Sequence, residues 1–355
     1  MQNMLNKTDL PEDIRVAIQQ GVVIPAHPLA LDSQRRLDRR RQQALTRYYL
    51  DAGAGGVAVG VHTTQFEIRD VGLYQPVLEL AAETVDTWRK QSIVCIAGLA
   101  GQTRQVVAEA EIAVSLGYHA GLLSLAAYKN AGEDEIIAHC ERIAKEIPLV
   151  GFYLQPAVGG RLLSSDFWRR FAGIENVVAI KIAPFNRYQT LDVIRGVVAA
   201  RAEDRITLYT GNDDHIVLDL AVPFTCMRDD EAVAVRIRGG LLGHWSVWTH
   251  TAVALFERIK KSITGDAIDA GLLALDSMVT DCNSAFFDVA NGFKGCIAGC
   301  HEVLRRQGLL EGIWCLDPKE CLSPGQSEEI DRVYRAYPDL NDDAFVREHL
   351  DGWLA

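Results

Sequence analysis

The chain has 355 residues, 48% of them hydrophobic, and carries a formal net charge of −11. That apolar fraction supports a large core, and the negative balance, with no run of Lys and Arg to offset it, excludes nucleic acid as a general partner. No apolar segment approaches the roughly 20 residues that span a bilayer, and residues 1–20 lack the apolar centre of a signal peptide, so a soluble, cytoplasmic protein with no membrane partner is expected.

Residues 21–25 read as a first strand. Residues 32–51 carry Leu37, Ala44, Leu45 and Tyr48 along one side, the spacing of an amphipathic helix, and Gly53, Gly55 and Gly56 end it. Arg35, Arg36, Arg39, Arg40 and Arg41 are interleaved there with Asp32 and Asp38 and read as a solvated face. Strands are predicted at 57–61, 93–99 and 120–125, with helices at 77–90 and 103–116 between them. A helix at 134–146, a strand at 148–154, a helix at 164–174 and a strand at 177–184 follow. Then come a helix at 188–200, a strand at 206–210, a short helix at 213–220 and an eighth strand at 239–245.

Eight strands, each followed by a helix, make an α/β fold of the closed (β/α)8 TIM-barrel type the leading expectation. An open doubly wound sheet is the alternative. It commonly carries a Gly-rich nucleotide loop after the first strand, where this chain has Pro25-Ala26-His27-Pro28. Residues 223–238 alternate after the polar turn Arg228-Asp229-Asp230-Glu231 and read as a β-hairpin insertion, expected at the N-terminal end of the barrel. Everything from about residue 249 onward is helical. The expected organisation is a barrel over 1–263 with the hairpin inserted, and a helical region over 264–355 packed on it. The eight cysteines are scattered, and Cys296 and Cys300, one helical turn apart, read as small core residues rather than metal ligands.

Lys181 interrupts the apolar run Val177-Val178-Ala179-Ile180-Lys181-Ile182-Ala183-Pro184. Burial favours the neutral amine, and a neutral lysine in a dry pocket attacks carbonyl carbon to form a Schiff base. The ordinary alternative is a lysine paired with a carboxylate or reaching solvent. The preceding strand carries Tyr153, and a strand–helix–strand unit makes the two strands parallel neighbours, so a phenol is expected beside the amine as a proton donor and acceptor. Barrel active sites lie at the C-terminal ends of the strands. There the chain offers His62-Thr63-Thr64, Tyr128, Tyr153, Lys181 and Gly211-Asn212-Asp213-Asp214. Hydroxyls for a carboxylate, a phenol for protons and an amine for a carbonyl suit a 2-oxo acid such as pyruvate, acting with an aldehyde.

Taken together, Thr63-Thr64 after the second strand, Tyr153-x-x-Pro156 and Ala179-Ile180-Lys181 resemble the dihydrodipicolinate synthase / N-acetylneuraminate lyase family of Schiff-base aldolases, over about residues 22–310. The resemblance implies Lys181 as the imine-forming residue, Tyr153 as proton shuttle and Thr63 as its relay. It implies Thr64 and nearby backbone N–H groups on the substrate carboxylate, with His62, Gly211 and Asn212 also at substrate-binding positions. Tyr128 matches a tyrosine that reaches a neighbouring subunit's site, so a homotetramer or homodimer is implied. No cofactor or metal is. Two departures stand out. His62-Thr63-Thr64-Gln65-Phe66 replaces the family's Gly-x-x-Gly-Glu, and Val158 stands where dihydrodipicolinate synthases place an arginine for the second substrate's carboxylate. The implied activity is a divergent carbon–carbon or carbon–oxygen lyase, not an authentic dihydrodipicolinate synthase. The alternatives are a 2-oxo acid dehydratase using the same imine, a non-catalytic 2-oxo acid binding barrel, and a metal-dependent lyase built on His27, His62, His215 and His244.

Overall fold

A computed structural model describes residues 4–265 and 267–355. The barrel strands are β1 (Val23–Pro25), β2 (Gly56–Val59), β3 (Val94–Leu99), β4 (Ala120–Leu123), β5 (Leu149–Leu154), β6 (Val177–Ala183), β7 (Thr207–Thr210) and β10 (Ile237–Leu242). They pair in parallel in the order β1-β10-β7-β6-β5-β4-β3-β2. A parallel bridge between Ala26 and Ala58 joins the two ends, where the His27 amide donates to the Ala58 carbonyl over 2.8 Å. The fold is therefore a (β/α)8 TIM barrel carrying further helices at its C-terminal end.

The strands are almost wholly buried because helices cover their outer faces and side chains fill the interior, the usual state of a parallel sheet. Parity divides them. Val150, Phe152, Ala179 and Ala183 belong to the interior cluster, while Leu149, Tyr153, Ile180 and Ile182 pack outward against the helices. The barrel helices are α2 (Arg39–Asp51), α3 (Tyr74–Trp88), α4 (Thr103–Ser115), α5 (Glu133–Ile143), α6 (Ser165–Ala172), α7 (Arg187–Ala199), α8 (Ile216–Ala221) and α9 (Thr249–Ile263).

The second predicted element begins later than residue 32. The Asp32 carboxylate accepts from the Gln34 and Arg36 amides at 2.8 and 2.9 Å, closing a turn, and Arg35 takes a left-handed φ of 57°. Asp38 then caps α2 by accepting from the Arg41 amide. A helix just before β1, α1 (Glu12–Gln20), is not among the predicted elements. Its Ile14 and Ile18, one turn apart, close the N-terminal end of the barrel in the same cluster as Ile24, Ile96 and Leu241.

Between α8 and β10, β8 (Phe224–Arg228) and β9 (Glu231–Val235) pair antiparallel. Arg228 reaches the Val198 carbonyl and Glu203, and Arg201 pairs with Asp229 at 3.0 Å. The hairpin thus lies where α7 ends and β7 begins, at the N-terminal end of the barrel.

The remaining helices are α10 (Gly271–Phe286), α11 (Cys296–Arg306), α12 (Gln326–Ala336) and α13 (Asp343–Leu354). Here one expectation holds only in part. Arg36, Arg39 and Arg40 are exposed, as a solvated face requires, but the strip also binds distant backbone, beginning with Arg35 on the Cys315 carbonyl at 2.9 Å. Arg40 donates to the Leu354 carbonyl, Arg41 to Gly308 and Arg47 to Trp353, at 2.6, 2.6 and 2.7 Å. Unpaired carbonyls at a helix C-terminus attract cations, so α13 docks its end on this basic strip. Tyr48, fully buried, fastens the same region by donating to Asp342 at 2.7 Å.

Candidate active site

Lys181 stands on β6 at the parity of Ala179 and Ala183, so its stem enters the barrel interior. It is 8% exposed, and its Nζ lies 4.5 Å from the centre of the Phe152 ring, the residue paired with it across β5–β6. Space for the stem comes from Gly211: a Cβ there would lie 2.6 Å from Lys181 Cε. Among the described residues Lys181 makes no ion pair or hydrogen bond.

Around it lies a cavity at the C-terminal ends of the strands, with about 580 Å3 between its walls, mouth included. A larger hollow, about 1530 Å3, lies between the N-terminal segment and α5–α6, lined by Asn6, Glu141 and Arg170. It is an open surface groove away from the strand ends. The Lys181 cavity is the candidate site, because it joins a buried amine to a mainly apolar wall at the strand ends.

Burial holds the Lys181 amine below its ordinary pKa, and the charge of Asp213 opposes that shift. Burial pushes the Asp213 carboxyl up, against the His244 amide that donates to it at 3.0 Å and the Lys181 charge. Both line the cavity. Desolvation thus drives each toward its neutral form while their mutual attraction drives them back, which places both near the pH where a proton is exchanged. His62, also lining the cavity, is lowered to about 4 by burial with the Lys181 charge adding, so it is neutral at physiological pH.

The structure brings Lys181, His62, Thr63, Val158 and Gly211 to one cavity. Thr63 donates its hydroxyl to the Ala26 carbonyl at 2.7 Å and contacts neither Tyr153 nor Lys181 by a hydrogen bond. Thr64 is fully buried and ties its own turn, donating to the His27 carbonyl and accepting from the Gly60 amide. Asn212 bonds to Asp219, Thr190 and the Phe185 amide, holding two loops together rather than facing the cavity.

Two tyrosines are placed differently from expectation. Tyr153 has outward parity. Its ring lies 5.3 Å from Trp168, and its hydroxyl accepts from the Leu163 amide at 3.2 Å and donates to the Leu163 carbonyl at 3.4 Å. It does not line the cavity. Tyr128 is buried against His139, ring centres 4.4 Å apart, with its hydroxyl on Thr103 at 2.8 Å. Its geometry belongs to the α4–α5 packing of its own chain. Arg161, the nearest arginine to Val158, donates to the Tyr128 and Ala131 carbonyls at 2.8 and 2.7 Å.

Sequence reasoning missed Asp213 as a site residue, although it stood in the motif that yielded Gly211 and Asn212. It also missed Phe185, Phe287, Phe293 and Cys296 in the cavity wall, the last three from the C-terminal region. The histidines considered for a metal are used separately. His27 bonds Thr46 and the Pro28 carbonyl, His215 bonds Asp276, and His244 stacks on Phe286. Among the described residues no group of three or more His, Cys, Asp or Glu side chains is placed to hold a metal ion, and no helix is long and apolar enough to cross a membrane.

Several known proteins share this architecture. N-acetylneuraminate lyase 2 of Escherichia coli O6:H1 is 23% identical over 312 residues, 87% of this chain and 90% of that protein. The 4-hydroxy-tetrahydrodipicolinate synthase of Syntrophobacter fumaroxidans is 26% identical over 203 residues, 56% of this chain and 65% of that protein. Among solved structures, a Clostridium difficile protein in complex with mannosamine superposes with a TM-score of 0.71 at 17% identity, covering 89% of this chain and 99% of that one. A prophage protein of E. coli K12 in complex with pyruvate gives 0.71 at 16% identity, covering 90% and 97%. The sequence profile of the dihydrodipicolinate synthetase family matches residues 19–224, more than half of the chain. The chain therefore belongs to the dihydrodipicolinate synthetase family, and with it to the lyases of the aldolase type.

Proposed function

We propose that the protein is a Schiff-base-forming lyase acting on pyruvate or a related 2-oxo acid together with an aldehyde. One observation carries this reading: a buried lysine with no hydrogen bond or close ion pair among the described residues, its amine pushed toward the neutral form by burial, in a cavity at the C-terminal mouth of the barrel. The Lys181 nitrogen adds to the C2 carbonyl, the carbinolamine loses water, and the resulting imine gives up a C3 proton to form an enamine. The enamine carbon bonds to the aldehyde carbon, whose oxygen takes up a proton, and water then releases the adduct. The reverse order of steps cleaves it.

Asp213, in the same cavity, takes the proton-transfer role that Tyr153 is not positioned to fill. His62 and backbone amides of the same turn receive the 2-oxo acid carboxylate in this reading, Thr63 holding that turn through its hydrogen bond to the Ala26 carbonyl, and Val158 borders the second substrate. Arg161 is already engaged with two carbonyls, which supports a substrate other than that of an authentic dihydrodipicolinate synthase. The unit 1–263 is the catalytic barrel and 264–355 its roof. Assembly as a homodimer or homotetramer belongs to this reading, without the contribution of Tyr128.

Borohydride reduction with a panel of 2-oxo acids, followed by intact mass and peptide mapping, tests it. The expected result is a single adduct on Lys181, absent in Lys181→Ala. Asp213→Asn should still bind the oxo acid but turn over about 10²- to 10⁴-fold more slowly, the usual loss when a general acid–base group is removed. A trapped adduct on another lysine would overturn the assignment. A thermal shift with pyruvate and no trapped imine would favour a binding barrel. An imine formed with 3-hydroxy or sugar-type 2-oxo acids, followed by water loss, would favour the dehydratase.

A further inference from the structure

From the cavity wall above the lysine we infer that the second substrate presents an aryl group, as an aromatic aldehyde or its aldol adduct, and that the C-terminal region supplies the residues that select it. This rests on the imine reading of Lys181.

Three phenylalanines besides Phe152 line the cavity. Phe185 comes from the loop after β6, while Phe287 and Phe293 come from the segment between α10 and α11. Phe185 and Phe293 meet at a centroid distance of 5.9 Å and an interplanar angle of 61°, an edge-to-face contact that joins the barrel loop to the roof. Both hold left-handed backbone conformations, with φ of 52° and 67°. A bulky residue in that region is strained and persists where the surroundings demand it. Here each strained position carries a ring that borders the cavity.

Charge supports the same conclusion by elimination. Among the described residues Lys181 is the one lysine or arginine lining the cavity, and the reaction itself takes up its nitrogen in the bond to the first substrate. His62 is neutral there. A second carboxylate would meet Asp213 and no cation. For hydroxyl-rich partners the wall holds the polar side chains of His62, Gln155 and Asp213, Thr63 having committed its proton to the Ala26 carbonyl, against the four rings of Phe152, Phe185, Phe287 and Phe293. An aryl ring gains from edge-to-face contact with phenylalanines and needs no polar partner.

The test joins pyruvate to one of three aldehydes: benzaldehyde, glyoxylate or glyceraldehyde. Product is followed by chromatography as the 4-substituted 4-hydroxy-2-oxo acid. Borohydride trapping with pyruvate alone runs alongside and reports on the imine reading separately. The expected result is a kcat/KM for benzaldehyde at least tenfold above the other two. Phe287→Ala and Phe293→Ala should each lose about tenfold of that preference. Both should keep the pyruvate imine, Phe287→Ala with a lowered melting temperature because its ring is buried, and Phe287→Leu should fall between in selectivity and in melting. Equal or better turnover of glyoxylate or glyceraldehyde overturns the inference. So does a pyruvate imine with no aryl product, or unchanged selectivity in both alanine variants. Absence of the imine instead overturns the reading beneath it.

Discussion

Two regions of the barrel each hide a cation from water, and they treat it in opposite ways. Arg69, after β2, is 9% exposed at its side chain and saturated with partners. It bonds Glu109 at 2.8 and 3.0 Å and the Gly98 carbonyl at 2.9 Å, and it lies 4.7 Å from the Tyr74 ring centre. Glu109 in turn accepts from the Ala100 amide and the Gln105 side chain. Lys181 is equally hidden yet has only the face of Phe152. A buried charge that is fully bonded costs the fold little and does nothing else. One left without partners carries an unrelieved desolvation cost, which is the state that makes an amine nucleophilic.

The sharpest way to break this comparison is to strand the arginine. Glu109→Ala leaves a guanidinium in the interior with two carbonyls and no counter-charge. Breaking a buried pair from one side costs about 3–5 kcal/mol, so urea unfolding should show a loss of that size. A change below 1 kcal/mol would mean that Arg69 escapes to solvent and that the two regions differ less than their geometry says.

Lys181 should respond with the opposite sign. Lys181→Met keeps the length of the stem and removes the charge, so the variant should be inactive and more stable at neutral pH, by something on the order of 1 kcal/mol. The pH dependence follows from the depressed pKa. Between the folded value of about 8 and the ordinary lysine value near 10.4, the unfolded chain binds more protons than the folded one. Wild-type stability therefore rises with pH across that window. The Met variant lacks this term, so its advantage is largest below pH 8 and fades toward pH 10.5. Loss of the Lys181 charge also removes an attraction that favours the Asp213 carboxylate and drives that group further toward its neutral form, which limits the gain. A Met variant less stable than wild type at pH 7 would show that the lysine is structural.

Much of this arrangement was legible before any coordinates, for physical reasons that can be named. Short apolar runs, several of them β-branched, marked the barrel strands, and Lys181 was conspicuous because nothing else in its run was polar. What escaped depended on partners distant in the chain. The arginines around α2 look like a solvated strip until α13, roughly 300 residues on, brings its carbonyls to them. Asp213 was visible in its motif, but only the folded loop shows that Asn212 turns to Asp219 while Asp213 turns to the cavity. The aromatic wall sits in a helical region with no pattern that would mark it as part of a site.

Tyr153 shows how narrow the margin is. Phe152 and Tyr153 are adjacent aromatics on one strand, so one must face the interior and the other the helices. The β5–β6 register pairs Phe152 with Lys181 and Tyr153 with Ile182. A shift of one residue would exchange their faces. With Phe152 inward, the phenol is left among Trp168 and the Leu163 backbone. Tyr153→Phe then removes one bridging hydroxyl, worth about 1 kcal/mol of stability, and should lower kcat by less than tenfold. This is the smallest effect expected here, and it is discriminating, since an inward proton shuttle would lose about 10²- to 10⁴-fold. Steady-state kinetics beside a thermal melt separate the two. A hundredfold fall in kcat with an unchanged melt would put the phenol in the cavity and return the proton role from Asp213 to Tyr153.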